Sequence, residues 1–247
     1  MSRDLFSNVV RSALFLFGIV GIVETIGFFF LQDWARSLVP WELNRMAGVF
    51  LSSICAASTF PMLWIALSRE YAAVTGGAIN FVILFSGFAI FSFGVFAANP
   101  RPPVFVFGVF SLLGCLFVLG LIPFGLRHPF QDERRVPAIV RISFFLFFIN
   151  LSLAGVMLVL NRPNVFPWQL TPQQSVLYGW IFLGAAAYFL YGVLRPVWGN
   201  ARGQLFGFLA YDLILIGPFL ALLFGEEPFL LPNLVYYIAM LIYSGAL

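Results

Sequence analysis

Runs of about twenty apolar residues follow one another through nearly the whole chain, and the loops between them are too short to fold alone. In hydrocarbon a backbone N–H or C=O has no water to bond, so such a run survives only as a helix that satisfies its own polar groups. The runs fall at about 13–31, 46–67, 73–96, 104–126, 142–160, 176–194, 204–224 and 230–247. They predict an all-α integral membrane protein with about eight transmembrane helices. Composition excludes the alternative of one large soluble core: only 9% of the residues are charged, against about 25% in soluble domains. The first run has no small-residue cleavage site after it and is too long for a signal-peptide core, so it is read as a retained span.

The charge sits almost entirely between the runs. All thirteen basic residues are arginine, and none forms a stripe, which excludes a nucleic-acid surface. The lack of lysine excludes a Walker-type phosphate loop and a Schiff-base cofactor. The single histidine, His128, excludes bis-histidine haem and any multi-histidine metal site within the chain. Cys55 and Cys115 lie inside apolar runs and read as free buried thiols.

The densest charge is the central segment from Arg127 to Pro137. It separates two sets of four runs, 1–126 and 140–247, with 127–139 as the linker. The sets share features. Val10-Arg11 opens the first run and Val140-Arg141 the fifth; Pro40-Trp41-Glu42-Leu43 and Pro167-Trp168-Gln169-Leu170 precede the next run in each set. Phe50 aligned with Phe182 then places Asn80 opposite Asp212. An even number of spans per set gives both sets the same orientation, so the expectation is two parallel four-helix repeats about an axis along the membrane normal.

Orientation follows from arginine, which stays on the cytoplasmic side of a cell (inner) membrane. Arg3, Arg11, Arg69, Arg127, Arg134, Arg135, Arg141, Arg195 and Arg202 fall on the side of the termini, and Arg36, Arg45, Arg101 and Arg162 on the other. Both termini and the 127–139 linker are therefore expected in the cytoplasm. Trp34, Trp41 and Trp168 at one rim and Trp64 and Trp198 at the other fit an aromatic belt.

Few residues can carry chemistry. An ionisable group at bilayer depth is costly, at least ~2.5 kcal/mol on insertion scales, and calls for a partner or a function. Glu24 and Asp212 are such groups. With Asn80, Asn150 and Tyr211 they form the candidate intramembrane polar site, to take a proton, a cation or a ligand's polar head, or to hydrogen-bond across helices as glue. Arg11 and Arg141 are candidate lipid-headgroup contacts, by snorkelling. No catalytic constellation is present. Tyr211-Asp212 lacks the second aspartate of an intramembrane aspartyl protease. Glu226-Glu227 lacks the arginine and histidines of a membrane prenyl-protein protease, and no serine has a histidine base. The 32 phenylalanines encircle their helices and suit lipid, quinone or pigment rings alike. No cofactor motif is evident.

The Pro-Trp-x-Leu(-Thr-Pro) element, at Pro40 to Leu43 and again at Pro167 to Pro172, resembles a pattern in bacterial multi-pass membrane proteins of no characterised activity. It implies no reaction and transfers no site. The polar inventory is thin for a hydrophilic substrate, so the expectation is a non-catalytic binding or structural subunit of a larger membrane complex. Its partners would be the bilayer, lipophilic ligands, and other membrane subunits or a second copy. A small transporter or channel using the midplane carboxyls is the alternative.

Overall fold

The computed structural model describes residues 3–225 and 229–247; the side chains of Arg3, Asp4 and Phe6 lie outside the description, as does Glu226-Glu227. The described chain is helical throughout: α1 (Arg3–Phe29), α2 (Asp33–Arg36), α3 (Arg45–Ser68), α4 (Val74–Ala98), α5 (Pro102–Leu126), α6 (Ala138–Val159), α7 (Pro172–Leu194), α8 (Trp198–Leu222) and α9 (Leu231–Ala246), with a single 3₁₀ turn at Tyr71–Ala73. Seven of these helices are long and apolar enough to cross a membrane, so the fold is that of a membrane-embedded, multi-pass chain. The last apolar run forms the shorter α9, 16 residues or ~24 Å, against a hydrocarbon layer of about 30 Å. The seventh run starts earlier than expected. Asn200 and its neighbours are polar, yet they belong to α8, which opens at Trp198.

The helices pack as two compact units. The first comprises Met1–Leu38, Glu42–Tyr71 and Ala201–Leu247, and so contains α1, α2, α3, α8 and α9. The second comprises Val39–Trp41 and Ala72–Asn200, and contains α4 to α7. Each unit draws helices from both sides of the central linker.

In the first unit α1 and α3 form a hairpin. Arg11 Nε donates to Ala66 O at 2.8 Å and Ser52 Oγ to Thr25 O at 2.7 Å, tying the two helices near one end and further along. Gly21 sits against Thr59, and Gly18 against Leu63. Then α8 packs on α3, with Gly207 against the Ala57 carbonyl, 2.8 Å from where a Cβ would stand, and the Tyr211 ring edge-on to Phe50. On the other side of α8 lies α9, through Phe219 against Tyr237.

In the second unit the central contact is α4 on α7. Trp180 covers Gly87, Tyr188 and Tyr191 cover Gly76, and Asn80 meets Gly184. Phe144 and Phe147 of α6 both pack on Phe189 of α7, while α5 reaches α4 through Phe88–Phe107 and Phe96–Phe105. The central linker is ordered rather than a free joint. Val136 N donates to Pro196 O (3.1 Å), and Trp198 N to Arg134 O and Gly199 N to Asp132 O (both 2.9 Å), so it pairs with the turn between α7 and α8.

The hairpins α1–α3 and α6–α7 are built alike. Leu31 and Asn161, just beyond α1 and α6, both take φ 52°. The next residues bond back alike, Gln32 N to Gly27 O and Arg162 N to Met157 O, each 2.9 Å, the αL ending that closes many helices. A leucine in that conformation is strained; its side chain lies over Gly48. Asn44 caps α3 and Thr171 caps α7, the latter in a full capping box with Gln174. Gly48 then abuts Phe28 O where Ser175 Oγ donates to Leu158 O, and Ser52 bonds Thr25 O where Gly179 abuts Gly155 O. Serine and glycine change places, and the spacing stays. This correspondence lies more than a helical turn from the alignment of Phe50 with Phe182. Continued along the chain, this register aligns Asn80 with Gly207 rather than with Asp212. The sequence alignment followed residue likeness, whereas helix spacing is set by small residues that exchange freely.

Gly207 and Gly77 make a direct test. A Cβ at Gly207 would stand within 3 Å of a backbone oxygen, whereas nothing lies within 4 Å of one at Gly77. Gly207→Val should lower stability by about 1–3 kcal/mol, and Gly77→Ala should be neutral or stabilising by up to ~1 kcal/mol, both read by thermal unfolding in detergent.

Candidate functional site

Helix α8 offers two faces. Gly207 and Tyr211 look toward α3, and Asp212 toward α9. Asp212 is 5% exposed. Its Oδ1 lies 3.0 Å from Ser244 Oγ, while a Cβ on Gly245 would stand 3.4 Å from its Oδ2. Ser244 Oγ is also 2.7 Å from Met240 O. A hydroxyl carries one proton and can serve only one of those two acceptors. A proton on Asp212 lets both contacts be hydrogen bonds, the carboxyl donating to Ser244 Oγ and Ser244 donating to Met240 O. The second carboxyl oxygen has no hydrogen-bond partner among the described residues. Tyr211, Tyr237 and Asp212 are close enough to interact electrostatically.

The other predicted residues divide between the units. Glu24 lies in the first unit, half-buried on α1, where it interacts with Cys55 of α3 and makes no hydrogen bond among the described residues. Both carboxyls thus belong to one unit, with no direct contact between them among the described residues. Asn80 and Asn150 belong to the second unit. The Asn80 Oδ1 sits 2.5 Å from where a Gly184 Cβ would be and has no hydrogen-bond partner among the described residues; Asn150 is half-buried on α6. Arg11 spends its Nε on the Ala66 carbonyl, and Arg141 is exposed. Both cysteines are unpaired, and Cys115 Sγ lies 3.2 Å from Ser86 Oγ. His128 packs on Phe124, its Nδ1 2.8 Å from Phe124 O. In the linker Arg134 forks onto Asp132, Nε to Oδ1 at 2.9 Å and Nη2 to Oδ2 at 2.7 Å, which holds the guanidinium in its charged form above its ordinary range. Among the described residues no three of His, Cys, Asp and Glu come together as metal ligands.

Buried polar residues also stand outside the predicted site, among them Glu70, Asn200 and Gln204. Glu70 is 4% exposed in the turn after α3, where a charged residue reads as solvated loop. Asn200 and Gln204 are each 1% exposed on α8. Asn200 Nδ2 donates to Arg195 O (3.0 Å) and Tyr191 O (3.4 Å), closing the end of α7. Their signal was available: two amides a helical turn apart, beside glycines with the same spacing.

The arrangement defines an all-helical, membrane-embedded protein in which Ser52, Ser175 and the Asp212–Ser244 pair bond a neighbouring helix of the same unit. Comparison with protein-family models, with curated proteins and with solved structures finds no match.

If Ser244 ties α9 to α8, Ser244→Ala should cost about 0.6–2 kcal/mol, the range for a hydrogen bond between membrane helices. Thermal unfolding in detergent measures it, with Ser58→Ala, whose hydroxyl bonds only its own helix at Ile54 O, as the near-neutral control.

Proposed function

We propose that the protein is a non-catalytic polytopic membrane protein, a structural or binding subunit of a larger membrane complex with lipid or lipophilic-cofactor contacts. The observation that carries this reading is how its few polar side chains at membrane depth are spent. Ser52, Ser175 and Asp212 each bond an adjacent helix of their own unit, and so does Arg11 near one end of α1. Outward lie long apolar faces, including Phe105, Phe110, Leu113 and Phe117 on α5 and Ile142, Phe145, Leu146 and Leu153 on α6. Such faces suit lipid tails, flat apolar rings or another subunit's helices.

The finer organisation belongs to the same proposal. Eight crossings as two parallel four-helix repeats are supported by the like construction of α1–α3 and α6–α7 and by arginine placement. The cell (inner) membrane, with both termini and the 127–139 linker cytoplasmic, is supported by arginine placement alone. A transporter or channel is the second reading, favoured by one observation: the Asp212 Oδ2 is buried without a hydrogen-bond partner among the described residues.

Gentle solubilisation of native membranes separates the two readings. The subunit reading expects other membrane proteins, lipid or a chromophore to co-purify at fixed stoichiometry, and expects the purified chain in liposomes to drive no flux. Proton or solute flux by the purified chain alone, abolished by Asp212→Asn, would contradict it.

A further inference from the structure

The hairpins α4–α5 and α8–α9 can be aligned through the helices they pack on. Gly184 of α7 meets Asn80 of α4, and Ala57 of α3, which corresponds to Gly184, meets Gly207 of α8. The same step along the helix leads from Asn80 to Phe85 and from Gly207 to Asp212. The neighbours agree. Phe85 packs on Gly114 of α5, 3.2 Å from where its Cβ would stand, as Asp212 packs on Gly245 of α9. Beside each glycine a small polar residue touches the partner helix: Cys115, 3.2 Å from Ser86 Oγ, and Ser244, 3.0 Å from Asp212 Oδ1. At this level α4 and α5 are held by a phenyl ring, a thiol and a hydroxyl. Packing here therefore has no need of a carboxyl, and one in the membrane is costly enough to call for a use.

We propose that Asp212 is a proton-binding site of the first unit, whose protonation state Ser244 couples to the hydrogen bonding of the α9 backbone. In the protonated state the carboxyl O–H donates to Ser244 Oγ, and Ser244 donates to Met240 O. When the proton leaves to water, the Asp212 O–H bond breaks and its electron pair stays on the carboxylate. Ser244 then turns its O–H from Met240 O to Oδ1, freeing the Met240 carbonyl within the last turns of α9. Proton uptake reverses the exchange. Of the titratable groups on the elements packed around the site, Tyr211 on α8 interacts with Asp212 and with Tyr237 of α9, Tyr236 and Tyr243 of α9 are exposed, and Cys55 on α3 and Glu24 on α1 interact with each other. The site goes beyond the subunit reading, since a proton on α8 serves a subunit or a carrier alike.

Infrared difference spectra of the full chain in liposomes, taken between acidic and alkaline buffer, test the proposal. The expected result is a carboxyl C=O band that follows pH and shifts in D₂O. It should be absent from Asp212→Asn, and move in frequency in Ser244→Ala as its acceptor is lost. Asp212→Asn should unfold no earlier than wild type, and Asp212→Phe, which installs the residue found at Phe85, should also fold. An unchanged band in Asp212→Asn would overturn the proposal by assigning the signal to Glu24 or another carboxyl. Loss of folding in both Asp212 variants would overturn it too, because the carboxyl would then be a packing requirement.

Discussion

A backbone amide in hydrocarbon has no water to bond, and this one constraint sets the rest of the structure. It leaves the chain with helices as its spanning elements. Because lipid tails are as apolar as leucine, burying more leucine does little to hold one helix to another. Cohesion has to come from close approach and from hydrogen bonds that cross between helices. Both are present at the same places: Gly48 against Phe28 O, Gly207 against Ala57 O and Gly179 against Gly155 O on one hand, Ser52 to Thr25 O and Ser175 to Leu158 O on the other. A glycine lets the backbone come near, and a serine gives the carbonyl a donor. The two solutions substitute for each other between the hairpins α1–α3 and α6–α7.

That exchange explains what the sequence could and could not convey. Helix existence was legible, because twenty apolar residues admit one spanning structure; extent was not at every end, since α8 opens at Trp198, ahead of its apolar run, and the last run forms the shorter α9. The Pro-Trp elements were legible as markers, and each lies just ahead of a capped helix start, Asn44 for α3 and Thr171 for α7. Residue likeness pairs Phe50 with Phe182, whereas the hairpin contacts at Gly48 and Ser175 keep a register more than a turn away. Phenylalanines on a lipid-bathed helix carry little positional information; the small residues carry it but change identity. The same limit hid how the helices group. Loops are short on every side, so nothing in them says that α8 and α9 pack with α1 and α3.

The polar residues follow a similar pattern. Glu24 and Asp212 stood out by charge, and both lie in the first unit, Asp212 bonded to Ser244 and Glu24 beside Cys55. Glu70 was passed over as a loop residue, yet it is buried. Asn200 and Gln204 were passed over because they precede the strongly apolar part of α8. Charge inside an apolar run is a visible anomaly; a buried amide at a helix end shows only in its spacing.

The first unit is held by α8 seated on α3, a contact between distant parts of the chain. Trp64 and Phe206 mark it, with ring centroids 6.3 Å apart. The most direct measurement is cross-linking in native membranes of Trp64→Cys with Phe206→Cys, Cys55 and Cys115 replaced by serine, using a short bis-maleimide. The account predicts efficient intramolecular joining of the pair, and none when Phe206→Cys is combined with Leu16→Cys, exposed on the outer face of α1. Joining of the second pair but not the first would contradict it.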